Sequence, residues 1–131
     1  MRVASLRVLI AAALVCAAFR APAQTVPPAV GSDLLRSCSA LVDYAAKGGE
    51  ITIDATSCAA YLKGLREGVD APGPSRSATE RAFCAGEVSL DEIARAVVKH
   101  VQERPENARR QASTEAIAAL VRAYPCAKKQ P

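Results

Sequence analysis

Four cysteines limit what this chain can become. Cys38, Cys58, Cys84 and Cys126 are spread through a chain of 131 residues, and a fifth, Cys16, lies in an apolar stretch near its start. An even set of cysteines in a short exported chain reads as two disulfides, with three possible pairings. No two of the four are spaced as C-x-x-C, so neither a thioredoxin-type redox site nor a zinc knuckle is indicated. A nucleophilic cysteine needs a free thiolate beside a base, and a fully paired set leaves none.

Export is read from the first 23 residues. Arg2 and Arg7 form a basic start, Val8 to Phe19 carry no charge, and Ala21-Pro22-Ala23 is a small-x-small cleavage site. This order is that of a secretory signal peptide over residues 1–23, although Arg20 allows a cut nearer Ala18. The apolar run is shorter than the roughly 20 residues a membrane span needs. Val15 stands where a lipid-anchored chain has a small residue before its cysteine. A processed chain in the periplasm, without a membrane anchor, is therefore expected.

Charge narrows the partners. The whole chain carries a formal +4, but removing Arg2, Arg7 and Arg20 leaves 14 basic groups against 13 acidic, a net +1. Aromatic residues make up 4 % and there is no tryptophan. A near-neutral domain of mixed sign, with few rings to stack on bases, argues against nucleic acid as a partner.

The apolar spacing predicts four helices. Residues 24–32 hold two adjacent prolines and a glycine and are expected as a flexible extended arm. A first helix is expected from Asp33 to Lys47, with Leu34, Cys38, Leu41 and Ala45 on one stripe, Ser32 or Asp33 as its cap, and Gly48-Gly49 as its stop. Residues 50–53 form a short extended piece, and Asp54 is expected to cap a second helix reaching about Val69. Gly64 and Gly68 lie one turn apart in it and suggest close approach of another backbone. Residues 70–80 lack an apolar period and read as a loop. Ser89-Leu90-Asp91-Glu92 is a capping box opening a third helix to about Arg104. A fourth helix is expected from Asn107 or Ala108 up to Pro125, and residues 127–131 are a polar tail. The result is an all-α, four-helix domain over residues 33–126, with 24 large apolar residues but 20 alanines after residue 23. Pairing the helices as two hairpins brings Cys38 to Cys58 and Cys84 to Cys126.

Groups for chemistry are few. The single histidine, His100, stands three residues before Glu103, so the two could share a metal. It also lies at the border of the apolar stripe of Ile93, Val97 and Val101, and a packing histidine is the weightier reading. No nucleophile elbow, phosphate loop or H-E-x-x-H motif occurs. No catalytic residue, metal or cofactor is expected. Arg104, Arg109 and Arg110 form a small basic cluster at the third turn.

One ordered set of residues is specific in combination. Cys58, Tyr61, Gly64 and Gly68 are followed by Phe83-Cys84 and Val88, then Val97-Val98 with Pro105-Glu106, then Ala119-Leu120 leading to Tyr124-Pro125-Cys126. This run, from about Cys38 to Cys126, resembles the Tai/Rap family, small periplasmic immunity proteins of bacterial type VI secretion. Relatives carry a proline shortly after the Phe-Cys pair, where this chain has Ala85-Gly86-Glu87; many have an aromatic residue where His100 stands. The resemblance implies a helical, disulfide-bonded, often homodimeric protein that is not an enzyme. It implies binding to a secreted peptidoglycan amidase and blocking of its active-site cleft. On that reading two exposed turns offer the blocking surface: residues 70–80, with Pro72, Arg76 and Glu80, and residues 103–111, with Arg104, Arg109 and Arg110. The alternative is a helical cell-envelope binding or adaptor domain of the same fold without a toxin partner.

Overall fold

The computed structural model describes residues 26–70 and 81–126. The signal peptide expected at 1–23, most of the loop at 70–80 and the polar tail at 127–131 lie outside the described residues. Among the described residues there are four α-helices: α1 (Gly31–Lys47), α2 (Ile53–Asp70), α3 (Leu90–Gln102) and α4 (Ala112–Ala123). A 3-10 helix, Pro105–Arg109, joins α3 to α4. The all-α expectation holds, and both disulfides form as expected, Cys38–Cys58 and Cys84–Cys126.

Helix α1 is central, packing most extensively on α2 and α3 and also touching the 3-10 helix and α4. Its buried stripe of Leu34, Ser37, Cys38 and Leu41 follows the helical period. It starts two residues before the expected Asp33 and has no side-chain cap; neither Ser32 nor Asp33 caps it. A tertiary contact starts it instead. The Gly31 N–H donates to the Arg110 carbonyl (2.9 Å), and a Cβ at position 31 would overlap the Asn107 carbonyl. Only glycine lets the two backbones meet so closely. The helix ends at Gly48, as expected, with φ +69° and its N–H on the Tyr44 carbonyl (2.8 Å).

Helix α2 is capped by Thr52 rather than Asp54: the Ala55 N–H donates to Thr52 Oγ1 (3.1 Å). Asp54 lies inside the first turn, where its charge suits the helix dipole and meets Arg36 (3.5 Å). Among the described residues no backbone approaches Gly64 or Gly68; a Cβ at either meets no described atom within 4 Å. Glycine serves close approach at Gly31 instead.

The expected arm is, from Val26 to Val30, an extended strap, and Gly31 and Ser32 belong to α1. Ser57 Oγ donates to the Val26 carbonyl (3.1 Å), and the Ala112 N–H donates to the Ala29 carbonyl (3.0 Å). Val30 forms an antiparallel bridge with Gln111. That bridge holds Arg110 and Gln111 extended, which breaks the expected fourth helix into the 3-10 helix and α4.

The capping box opens α3 as expected: the Glu92 N–H donates to Ser89 Oγ and the Ser89 N–H to Glu92 Oε2, both at 3.4 Å. Helix α3 ends at Gln102, two residues short of the expected Arg104. Phe83, Leu34, Leu62, Ile93, Val97 and Leu120 are the large core side chains, set among buried alanines at 55, 94, 112, 116 and 119. Alanine surfaces let helix axes come close, so this core is tight but thin in apolar volume.

Candidate partner-binding surface

Residues 103–111 leave α3 and return to α4 as an exposed turn fixed from below. Pro105 stands at the start of the 3-10 helix, where its missing N–H is not needed. Asn107 anchors the turn: it is buried, its N–H donates to the Arg104 carbonyl (2.9 Å), and its Nδ2 donates to the His100 carbonyl (3.4 Å). The guanidinium-bearing residues Arg104, Arg109 and Arg110 are all exposed on this fixed turn. Arg104 and Arg109 make no ion pair among the described residues. Arg110 Nε stands 3.0 Å from Glu115 Oε1.

Glu115 is 1 % exposed, a carboxylate inside the core. Its second oxygen meets His100 Nε2 at 3.0 Å. A carboxylate only accepts, so the proton is assigned to Nε2, which donates to Oε2; the Asn107 Nδ2 donor, 3.3 Å from the same nitrogen, then bonds to the His100 carbonyl instead. His100 Nδ1 is then buried with no partner among the described residues. His100 is thus the packing histidine that its place on the stripe suggests, and its carboxylate partner is Glu115. Glu103 turns instead to Arg122 (3.1 Å) and Lys99 (3.9 Å). No group of three or more His, Cys, Asp or Glu able to hold a metal occurs among the described residues.

Sequence reasoning missed Glu115. The signal was present: Glu115 interrupts the small-residue face of Ala112, Ala116 and Ala119, and a lone acid on a buried face needs a buried partner. Of the expected contact residues, the structure brings Arg104, Arg109 and Arg110 together on one turn. Pro72, Arg76 and Glu80 lie outside the described residues.

The family model of the Rap1a immunity proteins matches residues 30–126, from the bridge at Val30 to the last cysteine. The chain belongs to this family. The match takes in all four helices, both disulfides and the anchored turn. No curated protein and no solved structure matches the chain. Family membership brings an immunity role, which implies binding to a secreted toxin effector. No helix among the described residues is long and apolar enough to cross a membrane.

Proposed function

We propose that this chain is a periplasmic immunity protein that binds a peptidoglycan amidase delivered by type VI secretion and occludes its active-site cleft, protecting the producing cell. The family match over residues 30–126 carries the reading. The physical features agree with it. An occluding inhibitor needs a scaffold that loses little entropy on binding, and two disulfides with a strap-pinned turn supply one. Two turns form the blocking surface: residues 70–80, through Pro72, Arg76 and Glu80, and residues 103–111, through Arg104, Arg109 and Arg110. The signal peptide at 1–23 delivers the chain to the compartment where the amidase acts, and the protein works there as a homodimer.

Co-expression tests the reading. The product of the reading frame neighbouring this gene is directed to the periplasm with and without the full chain; a cysteine–histidine amidase in that position favours the immunity role. Survival with the chain present, and lysis without it, is the expected result. Unchanged lysis would reject the immunity role and favour the adaptor reading. Removing residues 72–77 is expected to weaken binding at least tenfold; unchanged affinity would strike the first turn from the surface.

A further inference from the structure

A groove of about 250 Å³ lies between α3 and α4. Ala96, Ala119 and Ala123 supply its apolar lining, and Lys99, Glu103 and Arg122 its charged lining, with His100 between them. Its volume falls below the roughly 300–1,000 Å³ of sites for small organic ligands. One or two side chains of a protein partner fit it better.

The sign of the missing group follows from the charges. Lys99 and Arg122 share one carboxylate, Glu103, at 3.9 and 3.1 Å. The side chains of all three are well exposed, at 76, 64 and 39 %. Exposed pairs of this kind contribute little, so a competing carboxylate displaces Glu103 easily. The next acid, Glu115, is buried: His100 Nε2 donates to its Oε2, and Arg110 Nε lies 3.0 Å from its Oε1 as an ion pair without a hydrogen bond. Among the described residues the groove therefore holds one positive charge in excess beside an alanine surface.

We infer that the groove receives an aspartate or glutamate side chain of the secreted toxin. Its carboxylate lies between Lys99 and Arg122 and accepts charge-assisted hydrogen bonds from both, while its methylenes rest on the three alanines. The inference rests on the immunity reading and adds a second contact surface beside the turn that carries Arg104.

The test measures affinity between the processed full-length protein and a catalytically inactive form of the toxin against which it protects in co-expression. Arg122→Glu reverses the groove's charge, and Ala123→Met fills it from an exposed position. Each is expected to weaken binding at least tenfold, with circular dichroism unchanged. Lys47→Glu, exposed at the end of α1, is expected to stay within twofold of wild type. A carbodiimide is expected to join Lys99 Nζ to an effector Asp or Glu as an amide, with the water lost taken up as the urea. Arg122→Glu and Ala123→Met both binding within twofold of wild type would overturn the inference. So would effector cross-links that fall only on lysines outside the groove. A wild-type protein that does not bind ends the immunity reading and this inference together; wild-type binding with unaffected variants ends this inference alone.

Discussion

Glu115 joins three elements through one side chain: α4 carries it, His100 of α3 donates to one oxygen, and Arg110 of the connecting turn faces the other. Removing a single member of a buried pair leaves the other desolvated without compensation. Glu115→Ala is expected to cost about 3 kcal/mol in urea unfolding, since His100 Nε2–H then has no acceptor. Glu115→Gln keeps an acceptor and is expected to cost about 1 kcal/mol. Pairing Glu115→Leu with His100→Leu is expected to lose less than the two single changes together, and a double-mutant cycle measures the difference. Glycines divide in the same residue-by-residue way. Gly31→Ala drives a methyl into the Asn107 carbonyl and is expected to cost about 2 kcal/mol or more, detaching the turn from α1. Gly64→Ala, on an exposed helix face with free space, is expected to raise stability by about 0.5–1 kcal/mol. A melting experiment in which both changes move the transition the same way would contradict the distinction.

Two element ends set locally were legible in advance, although the equally local Thr52 cap of α2 was misplaced to Asp54; ends set by distant partners were not legible. Gly48 stops α1 through its own φ, and Ser89 opens α3 through residues three positions away, so both ends could be read directly. The start of α1 and the break before α4 come from one long-range event, the strap at 26–30 meeting Arg110 and Gln111. No local propensity reports that pairing. The same division holds for the surface. Arg104, Arg109 and Arg110 are neighbours in the chain and were visible as a cluster. Lys99 and Arg122 become neighbours only when α3 packs on α4. The α3 cap also carries a pH dependence. Ser89 Oγ donates to Asp91 Oδ1 (2.6 Å), and this hydrogen bond, with the Arg95 charge, holds the Asp91 carboxyl below its ordinary 3.8. A carboxyl with a lowered folded pKa stabilises the fold above its unfolded pKa, and that contribution disappears as pH falls through the folded value. Ser89→Ala removes both the cap and this hydrogen bond. It is expected to cost about 1 kcal/mol at neutral pH. The deficit relative to wild type narrows below about pH 4, and a deficit constant down to pH 2 would separate the cap from the carboxylate.

At the scale of the whole molecule, the thin alanine-rich core makes the disulfides decisive. Cys38–Cys58 closes a separation of 20 residues and Cys84–Cys126 one of 42. Restriction of the unfolded chain makes these worth about 3 and about 4 kcal/mol respectively. Their sum is comparable to the roughly 5–15 kcal/mol total stability of an ordinary domain, and this one has less large apolar surface to bury than its length would allow. The two bridges also act in different places. Cys38 and Cys58 are fully buried between α1 and α2, whereas Cys84–Cys126 ties the segment before α3 to the chain just after α4. Replacing Cys84 and Cys126 by alanine is expected to lower stability by about 4 kcal/mol and to loosen that junction while leaving the α1–α2 pair folded. Reducing both bridges is expected to abolish most helical circular dichroism at 37 °C, and reoxidation to restore it. A reduced chain that stayed helical and melted cooperatively would show that the helices hold without the bridges. If reduction does unfold it, the chain can complete its fold only where thiols are oxidised, the same side of the membrane on which a secreted amidase meets its substrate.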